Sequence, residues 1–342
     1  MFEPIAARDD GGGMRIVTLE EHWSEPALDT AGGAARAELV PGYAAAFAPG
    51  MPYTQQMDLM ADIGARRIAD MDRHGITTQV LSCLNTAVPA DVAPALTKAA
   101  NNIAAEAMKQ HPGRFEAFAA LPTAAPDEAA DELRRCVREL GFVGTMIMGR
   151  TDGEFLDQPR FDPILRAAND LDVPIYLHPA PPPLAVSEAN YAGALSPAVA
   201  SAFRLAAWGW HQETAVHFIH LALTGVLDRY PSLQFILGHW GEFIPFYLDR
   251  LDEAMPQRMT GRDRSFREYM RDNVFITPSG MFSQAQLRYC VDTVGADRII
   301  HAVDFPLIGN EGAVSFLTDS HLSEVDRTRI AHGNADELLR LN

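Results

Sequence analysis

Three short stretches of the chain carry imidazole and carboxylate groups in a pattern that suits divalent-metal chemistry. Glu20-Glu21-His22 places Glu20 and His22 two residues apart, His178 precedes Pro179, and Asp304 closes the apolar run IIHAVD. Side chains two apart on an extended segment point the same way, so Glu20 and His22 can address one ion. One Glu, two His and one Asp supply the oxygen and nitrogen donors that suit Zn2+ or Mn2+. The lack of thiolate in the set favours a catalytic ion over a structural one. His239, in the stretch LGHWGE, adds a further imidazole. Each residue also has a plainer role. Glu20 and His22 could be a surface pair, His178 and His239 backbone-bonded core histidines, and Asp304 a helix N-cap, a position aspartate favours. Their joint placement makes coincidence the weaker account.

The elements that must position these groups follow from the alternation of short apolar runs with longer amphipathic ones, the mark of successive βα units. The apolar runs lie at 15–19, 78–84, 115–121, 143–148, 173–177, 233–237, 274–277 and 298–303. Helical patterns occupy 57–73, 94–110, 127–140 and 161–171 among others. His74-Gly75-Ile76 and Leu140-Gly141-Phe142 read as helix stops; Pro126-Asp127 and Ser283 read as helix starts. Near-continuous apolar strands between helices imply a parallel sheet. Eight is the number that closes into a (β/α)8 barrel. A doubly wound sheet is the competitor, but the first strand lacks a Gly-rich phosphate loop after it. Glu20 and His22, His178, His239 and Asp304 then all fall just past strand C-termini, the face on which barrel enzymes build their sites. Two stretches, 23–56 and 179–210, exceed the plain pattern and are expected to cap that mouth.

Composition sets the outer limits. The chain has 342 residues, 47% of them hydrophobic, which is material for a globular core. Its 28 Lys+Arg against 45 Asp+Glu give a net charge of −17, which argues against nucleic acid or an anionic membrane as partner. No apolar stretch reaches the ~18 residues a membrane helix needs. The three cysteines, Cys83, Cys136 and Cys290, are far apart and odd in number. They fit buried thiols in a reducing cytoplasm rather than a disulfide framework. Residues 1–13 lack the features of a signal peptide and read as a flexible lead-in to one barrel domain spanning 14–342.

Glu20-x-His22, the His178-Pro179 pair, LGHWGE at 237–242, ITPSG at 276–280 and DRIIHAVDFP at 297–306 together resemble the amidohydrolase-2 group of the amidohydrolase superfamily. Within it the chain is most similar to the metal-dependent, non-oxidative aromatic acid decarboxylases acting on γ-resorcylate, 2,3-dihydroxybenzoate or 5-carboxyvanillate. The likeness runs from Met14 to the NADELLRL tail at 334–341. It implies a distorted (β/α)8 barrel and one metal ion held by Glu20, His22, His178 and Asp304. It further implies a catalytic pair, His239 and Glu242. On residues alone, Glu242 reads equally well as a first-turn carboxylate of a helix starting near Gly241. Arg67 and Arg250 match positions that look like substrate partners in relatives, where a planar guanidinium can grip a carboxylate with two bonds. Arg250, flanked by Asp249, Asp252 and Glu253, reads equally well as a surface ion pair. Trp23, Trp240, Phe282 and Phe305 flank the motifs as ring-sandwiching residues or as ordinary core. Pro278, Met281 and the stretch 305–313 depart from the family's usual residues, near the mouth, where substrate choice is made.

The resemblance leads to three expectations of function. The first is a carboxy-lyase that protonates the ring carbon of a small hydroxyaromatic acid and releases CO2. In it Asp304 serves as both ligand and proton-transfer group, and His239 is oriented by Glu242. The second is a hydrolase that uses the same residues to open a lactone, amide or ester. The third is a non-catalytic scaffold with weak metal retention. Relatives form homodimers or homotetramers, so a homo-oligomer is expected.

Overall fold

The computed structural model describes residues 14–40 and 56–341. The expected lead-in at 1–13 and part of the 23–56 stretch lie outside the described residues. Seven parallel strands follow one another in space as in sequence: β1 (Val17–Trp23), β2 (Thr78–Cys83), β3 (Phe115–Ala119), β4 (Gly144–Met148), β5 (Ile175–His178), β6 (Phe235–Leu237) and β7 (Val274–Ile276). The eighth apolar run closes the ring through two single parallel bridges, Ile276 to Ile299 and Leu19 to Ala302. Ile300 N–H donates to the Ile276 carbonyl, and Leu19 N–H to the His301 carbonyl. The result is a distorted (β/α)8 barrel.

The main covering helices in chain order begin with α1 (Pro26–Leu39), α2 (Ala65–His74), α3 (Ala93–Gln110), α4 (Pro126–Leu140) and α5 (Asp162–Leu171). After β5 come α6 (Leu184–Tyr191), α7 (Pro197–Arg204) and α8 (Gly209–Leu223), and later α9 (Ile244–Ala254), α10 (Phe266–Asn273) and α11 (Gln284–Val294). Gly75 and Gly141 end α2 and α4 in the left-handed conformation that glycine adopts without a Cβ clash. Ser283 caps α11 by accepting from the Gln286 N–H. The helical pattern expected at 57–73 divides into a short 3-10 turn, Met57–Leu59, and α2, because Gly64 interrupts it and donates to the Asp62 side chain.

Strand alternation divides the core in two. Val17, Leu19, Val80, Phe118, Tyr176 and Ile236 fill the barrel interior. Leu81, Leu177, Leu237 and Ile276 face the helices, in a larger apolar layer. Ala335 and Leu339, from the C-terminal helix Asn334–Leu339, join the interior group. The 179–210 stretch forms α6 and α7 and leads into α8; α1 lies in the 23–56 stretch and reaches the β2 exit, where Arg36 donates to the Thr86 carbonyl. Among the described residues, no helix is long and apolar enough to cross a membrane.

Candidate metal centre

The barrel's parity rule explains how β1 delivers two site residues. Val17 and Leu19 face inward, yet His22, three residues beyond Leu19, faces inward as well. A register shift between Thr18 and Glu21, with Glu20 at φ 65°, switches the alternation. β5 needs no such device: Tyr176 and His178 are two apart on one face. At the end of β6 the chain turns left-handed, with His239, Trp240, Glu242 and Phe243 at φ 50°, 60°, 52° and 68°. Each such non-glycine residue costs about 1–2 kcal/mol. Glu20, Ser279 and Asp304 also hold positive φ, so backbone strain gathers at the strand ends around one point, as it does at functional sites. The helix expected near Gly241 begins instead at Ile244, after this turn. Asp304 caps no helix.

Ligand-type atoms of Glu20, His22, His178 and Asp304 lie within 4.8 Å of one another. The Nε2 atoms of His22 and His178 are 3.1 Å apart. His22 Nε2 is 3.1 Å from Asp304 Oδ1, and His178 Nε2 is 3.2 Å from Glu20 Oε1. His178 Nδ1 donates to the Pro179 carbonyl at 2.7 Å, which leaves its Nε2 as a lone pair aimed at the cluster. His22 Nδ1 meets the Ser82 hydroxyl at 3.0 Å. The far oxygen of Glu20, Oε2, accepts from the hydroxyls of Tyr176 and Ser279, and Thr277 ties those two together. Glu20 Oε1 and Asp304 Oδ1 are buried and accept no hydrogen bond. Buried polar atoms are nearly always paired. Two bare carboxylate oxygens facing two imidazole nitrogens therefore form a donor set that suits a divalent cation.

Electrostatics agree. Burial acts to raise the Glu20 carboxyl, but the imidazoles of His239, His178 and His22 outweigh it and hold it below the usual range. Burial and then His178 push His22 down to about 3. Burial, with the charges of Glu20, Glu21 and Glu242, pushes Asp304 well above the usual carboxyl range. Carboxylates are thus crowded around Asp304, an arrangement whose effect on it a divalent charge reverses. The Asp304 side chain, 14% exposed, is the most open of the four. Gly238 is obligatory at this spot: a Cβ there would lie 2.9 Å from both Tyr176 Oη and Ser279 Oγ and 3.2 Å from Glu20 Oε1.

Beside the four lies a second group. His239 Nδ1 is 2.9 Å from Glu242 Oε1, and its Nε2 is 3.9 Å from Glu20 Oε1. Glu242 Oε2 meets His211 Nδ1 at 2.8 Å. Burial acts to raise Glu242, but His211 and His239 hold it below its usual value. His211 is raised because Glu242 outweighs the effect of burial.

The two arginines are not brought to the cluster, a correction to the sequence expectation. Arg250 lies on the outer face of α9, its side chain 70% exposed and paired with Glu253 at 3.0 Å. Arg67 is fully buried, with its donors spent on the carbonyls of His22, Leu59 and Asp62 and on the Gln79 side chain. Its guanidinium lies over the Phe305 ring, 4.8 Å from the centroid. It clamps the backbone that carries His22 and offers no fork to a ligand. Trp240 and Phe305 are core: Trp240 donates to the Met281 carbonyl and is 1% exposed, and Phe305 is fully buried.

The sequence reading missed Tyr176, Ser82, Ser279 and His211. Alternation from His178 would have found Tyr176. His211, on α8 after the long insertion, carries no local signal.

Three comparisons place this geometry among known proteins. The family model described as Amidohydrolase matches residues 34–341. The chain is 34% identical to γ-resorcylate decarboxylase of Polaromonas sp., over 95% of this chain and 98% of the relative. It superposes on 2,6-dihydroxybenzoate decarboxylase complexed with 2,6-dihydroxybenzoate with a TM-score of 0.81 at 34% identity, covering 96% of this chain and all of that one. It superposes with a TM-score of 0.86 at 29% identity on a 5-carboxyvanillate decarboxylase of Novosphingobium aromaticivorans complexed with manganese and a nitrobenzoic acid, covering 96% of this chain and 97% of that one.

Proposed function

The chain belongs to the amidohydrolase family, and from that premise we propose that it is a metal-dependent, non-oxidative decarboxylase of a hydroxyaromatic carboxylic acid. The observation that carries the reading is the convergence of two unpaired carboxylate oxygens and two imidazole nitrogens at the barrel mouth. Glu20, His22, His178 and Asp304 would hold one divalent ion, manganese being favoured because the 5-carboxyvanillate decarboxylase structure holds it. When bound, such an ion orients the carboxylate and an adjacent ring oxygen and stabilises negative charge that gathers there.

The chain's own side chains do the rest. Tyr176 and Ser279 fix the Glu20 carboxylate, and the Pro179 carbonyl fixes the His178 tautomer. Asp304, at the open edge, delivers a proton to the ring carbon that bears the carboxylate. The bond from that carbon to the carboxylate then breaks, its electron pair returns to the ring, and CO2 leaves. His239, with its Nδ1–H held by Glu242, presents Nε2 as an acceptor to a ring hydroxyl. The decarboxylases named above set the hydrolytic reading aside. Two further features belong to the same proposal: the exposed aromatics Trp208, Phe246 and Tyr247 support a homo-oligomer, and three free buried thiols support the cytoplasm.

The test is to offer manganese-loaded protein 2,6-dihydroxybenzoate, 5-carboxyvanillate and a panel of lactones. CO2 release from an aromatic acid is the expected result. Proton release from a lactone without CO2 from any acid would overturn the proposal.

A further inference from the structure

Glu242 sits in a left-handed turn whose neighbours would relax if nothing held them. What holds them is the start of α8. The Trp208 ring packs on Phe243 with centroids 4.6 Å apart, and His211 Nδ1 lies 2.8 Å from Glu242 Oε2. The other nitrogen of His211, Nε2, lies 2.9 Å from the Ala206 carbonyl and takes the Trp210 indole N–H at 3.1 Å, so a neutral ring accepts there and carries its hydrogen on Nδ1, toward Glu242. With Oε2 taken by His211, Glu242 has Oε1 left for His239 Nδ1. The His211 and His239 rings stand 4.3 Å apart, centroid to centroid. This cluster has the residue types of a cation site, but its facing atoms are already bonded to one another, unlike the bare oxygens next to it.

We propose that His211 is a positioning residue: by donating to Glu242 it fixes that carboxylate, and so confines His239 to the tautomer with hydrogen on Nδ1 and a lone pair on Nε2 facing the metal centre. The inference rests on the decarboxylase reading and assigns a role to a side chain of the insertion-borne helix α8. A carboxylate held from one side only would rotate, and His239 would then sample both tautomers. The other tautomer would offer the substrate a donor where an acceptor is required.

The experiment uses the manganese-loaded full chain with two substitutions. His211→Phe keeps the ring shape and removes the donor; His211→Asn loses the ring and keeps a donor at the Nδ1 position. The expected result is a kcat about 10- to 100-fold lower in His211→Phe, the range seen for partners of site residues, with KM and manganese content within about threefold of the parent. His211→Asn is expected to recover most of the loss. A packing role predicts the reverse order, with Phe tolerated and Asn impaired, and that order would overturn the proposal. Equal impairment of both would overturn it too. If the parent releases no CO2 from any acid, the function proposed above fails, while this inference is still read by 15N-histidine NMR of the same proteins loaded with diamagnetic Zn2+ in place of paramagnetic manganese. The His239 signals should report hydrogen on Nδ1 in the parent and in His211→Asn, and a tautomer mixture in His211→Phe. An unchanged His239 signature in His211→Phe overturns the proposal.

Discussion

Two clusters of histidine and carboxylate stand side by side at the barrel mouth, and they differ in what their atoms lack. In the group of Glu20, His22, His178 and Asp304, two carboxylate oxygens are buried without a hydrogen-bond partner. In the group of His211, Glu242 and His239, each carboxylate oxygen meets an imidazole nitrogen, at 2.8 and 2.9 Å. The residue types are the same, and so is the burial. The difference teaches that residue types alone do not mark a candidate metal site; unspent carboxylate oxygens facing imidazole nitrogens do. A cluster whose donors and acceptors satisfy each other is a device for orienting a ring, and an ion would have to break its bonds to enter. The strained backbone at Glu20, Asp304 and the turn at 239–243 serves both groups, because each needs side chains delivered from adjacent strand ends to a single point.

The sharpest way to break this division is to alter one residue of each group. Asp304→Asn is expected to lower turnover by about two to four orders of magnitude, the range for loss of a proton-transfer group. Its circular dichroism and melting temperature should match the parent, since the Asp304 carboxyl makes few bonds to lose. Full activity in this variant would remove it from the mechanism. Glu20→Gln should cost most of the bound manganese, read by elemental analysis after desalting, because a neutral amide turns a donor oxygen into a weaker ligand. Glu242→Gln belongs to the other side of the comparison. It should retain one manganese per chain while kcat falls about 100-fold; metal loss there would merge the two clusters into one. Tyr176→Phe removes one hydroxyl from Glu20 Oε2 and leaves Ser279 in place, and should weaken manganese binding by about 10- to 100-fold in a competition titration.

Much of this was legible in the chain, for reasons that can be traced to particular residues. The strands announce themselves because both faces are buried, so each reads as an unbroken apolar run. The run at 298–303 is just as apolar, yet it pairs only through Ile299 and Ala302, a detail no periodicity encodes. Glu20, His22, His178 and Asp304 were visible because polar residues directly after such runs have nowhere to go but the mouth. Arg67 was misread because a guanidinium next to a ligand-bearing strand looks the same in sequence whether it faces a substrate or the His22 carbonyl. Arg250 was misread for the opposite reason: its acidic neighbours were the truth about it. The left-handed turn after β6 is hidden because Gly241 in LGHWGE cannot reveal that its non-glycine neighbours share its conformation. His211 is hidden because its partner, Glu242, lies thirty-one residues away and comes into reach only once α8 packs on the turn.

A histidine outside both clusters sharpens the comparison with the smallest effect of the set. His301 lies in the barrel-closing segment, fully buried against the rings of Phe282 and Phe316, with centroids 5.8 and 6.1 Å away and those two rings 5.2 Å from each other. Neither of its nitrogens makes a full hydrogen bond, yet among the ion-holding groups of the described residues it does not appear. Unspent nitrogens without carboxylates therefore give a neutral core ring, not a metal site. Burial lowers its pKa from 6.5 to about 4, the Ala313 backbone offsetting only part of that. The sign follows from proton uptake. Between pH 6.5 and about 4 the unfolded chain binds a proton at His301 that the folded chain refuses, so stability rises with pH in this window. The contribution is whole above about pH 6.5 and is lost as pH falls toward 4, on the order of 3 kcal/mol at most. His301→Phe keeps the stack and removes the titration. Urea midpoints measured from pH 7.5 to 4.5 should therefore fall less steeply in the variant than in the parent, with activity at neutral pH unchanged. Parallel curves for the two proteins would mean that His301 takes up its proton alike in the folded and unfolded chains, and that burial does not hold the ring neutral.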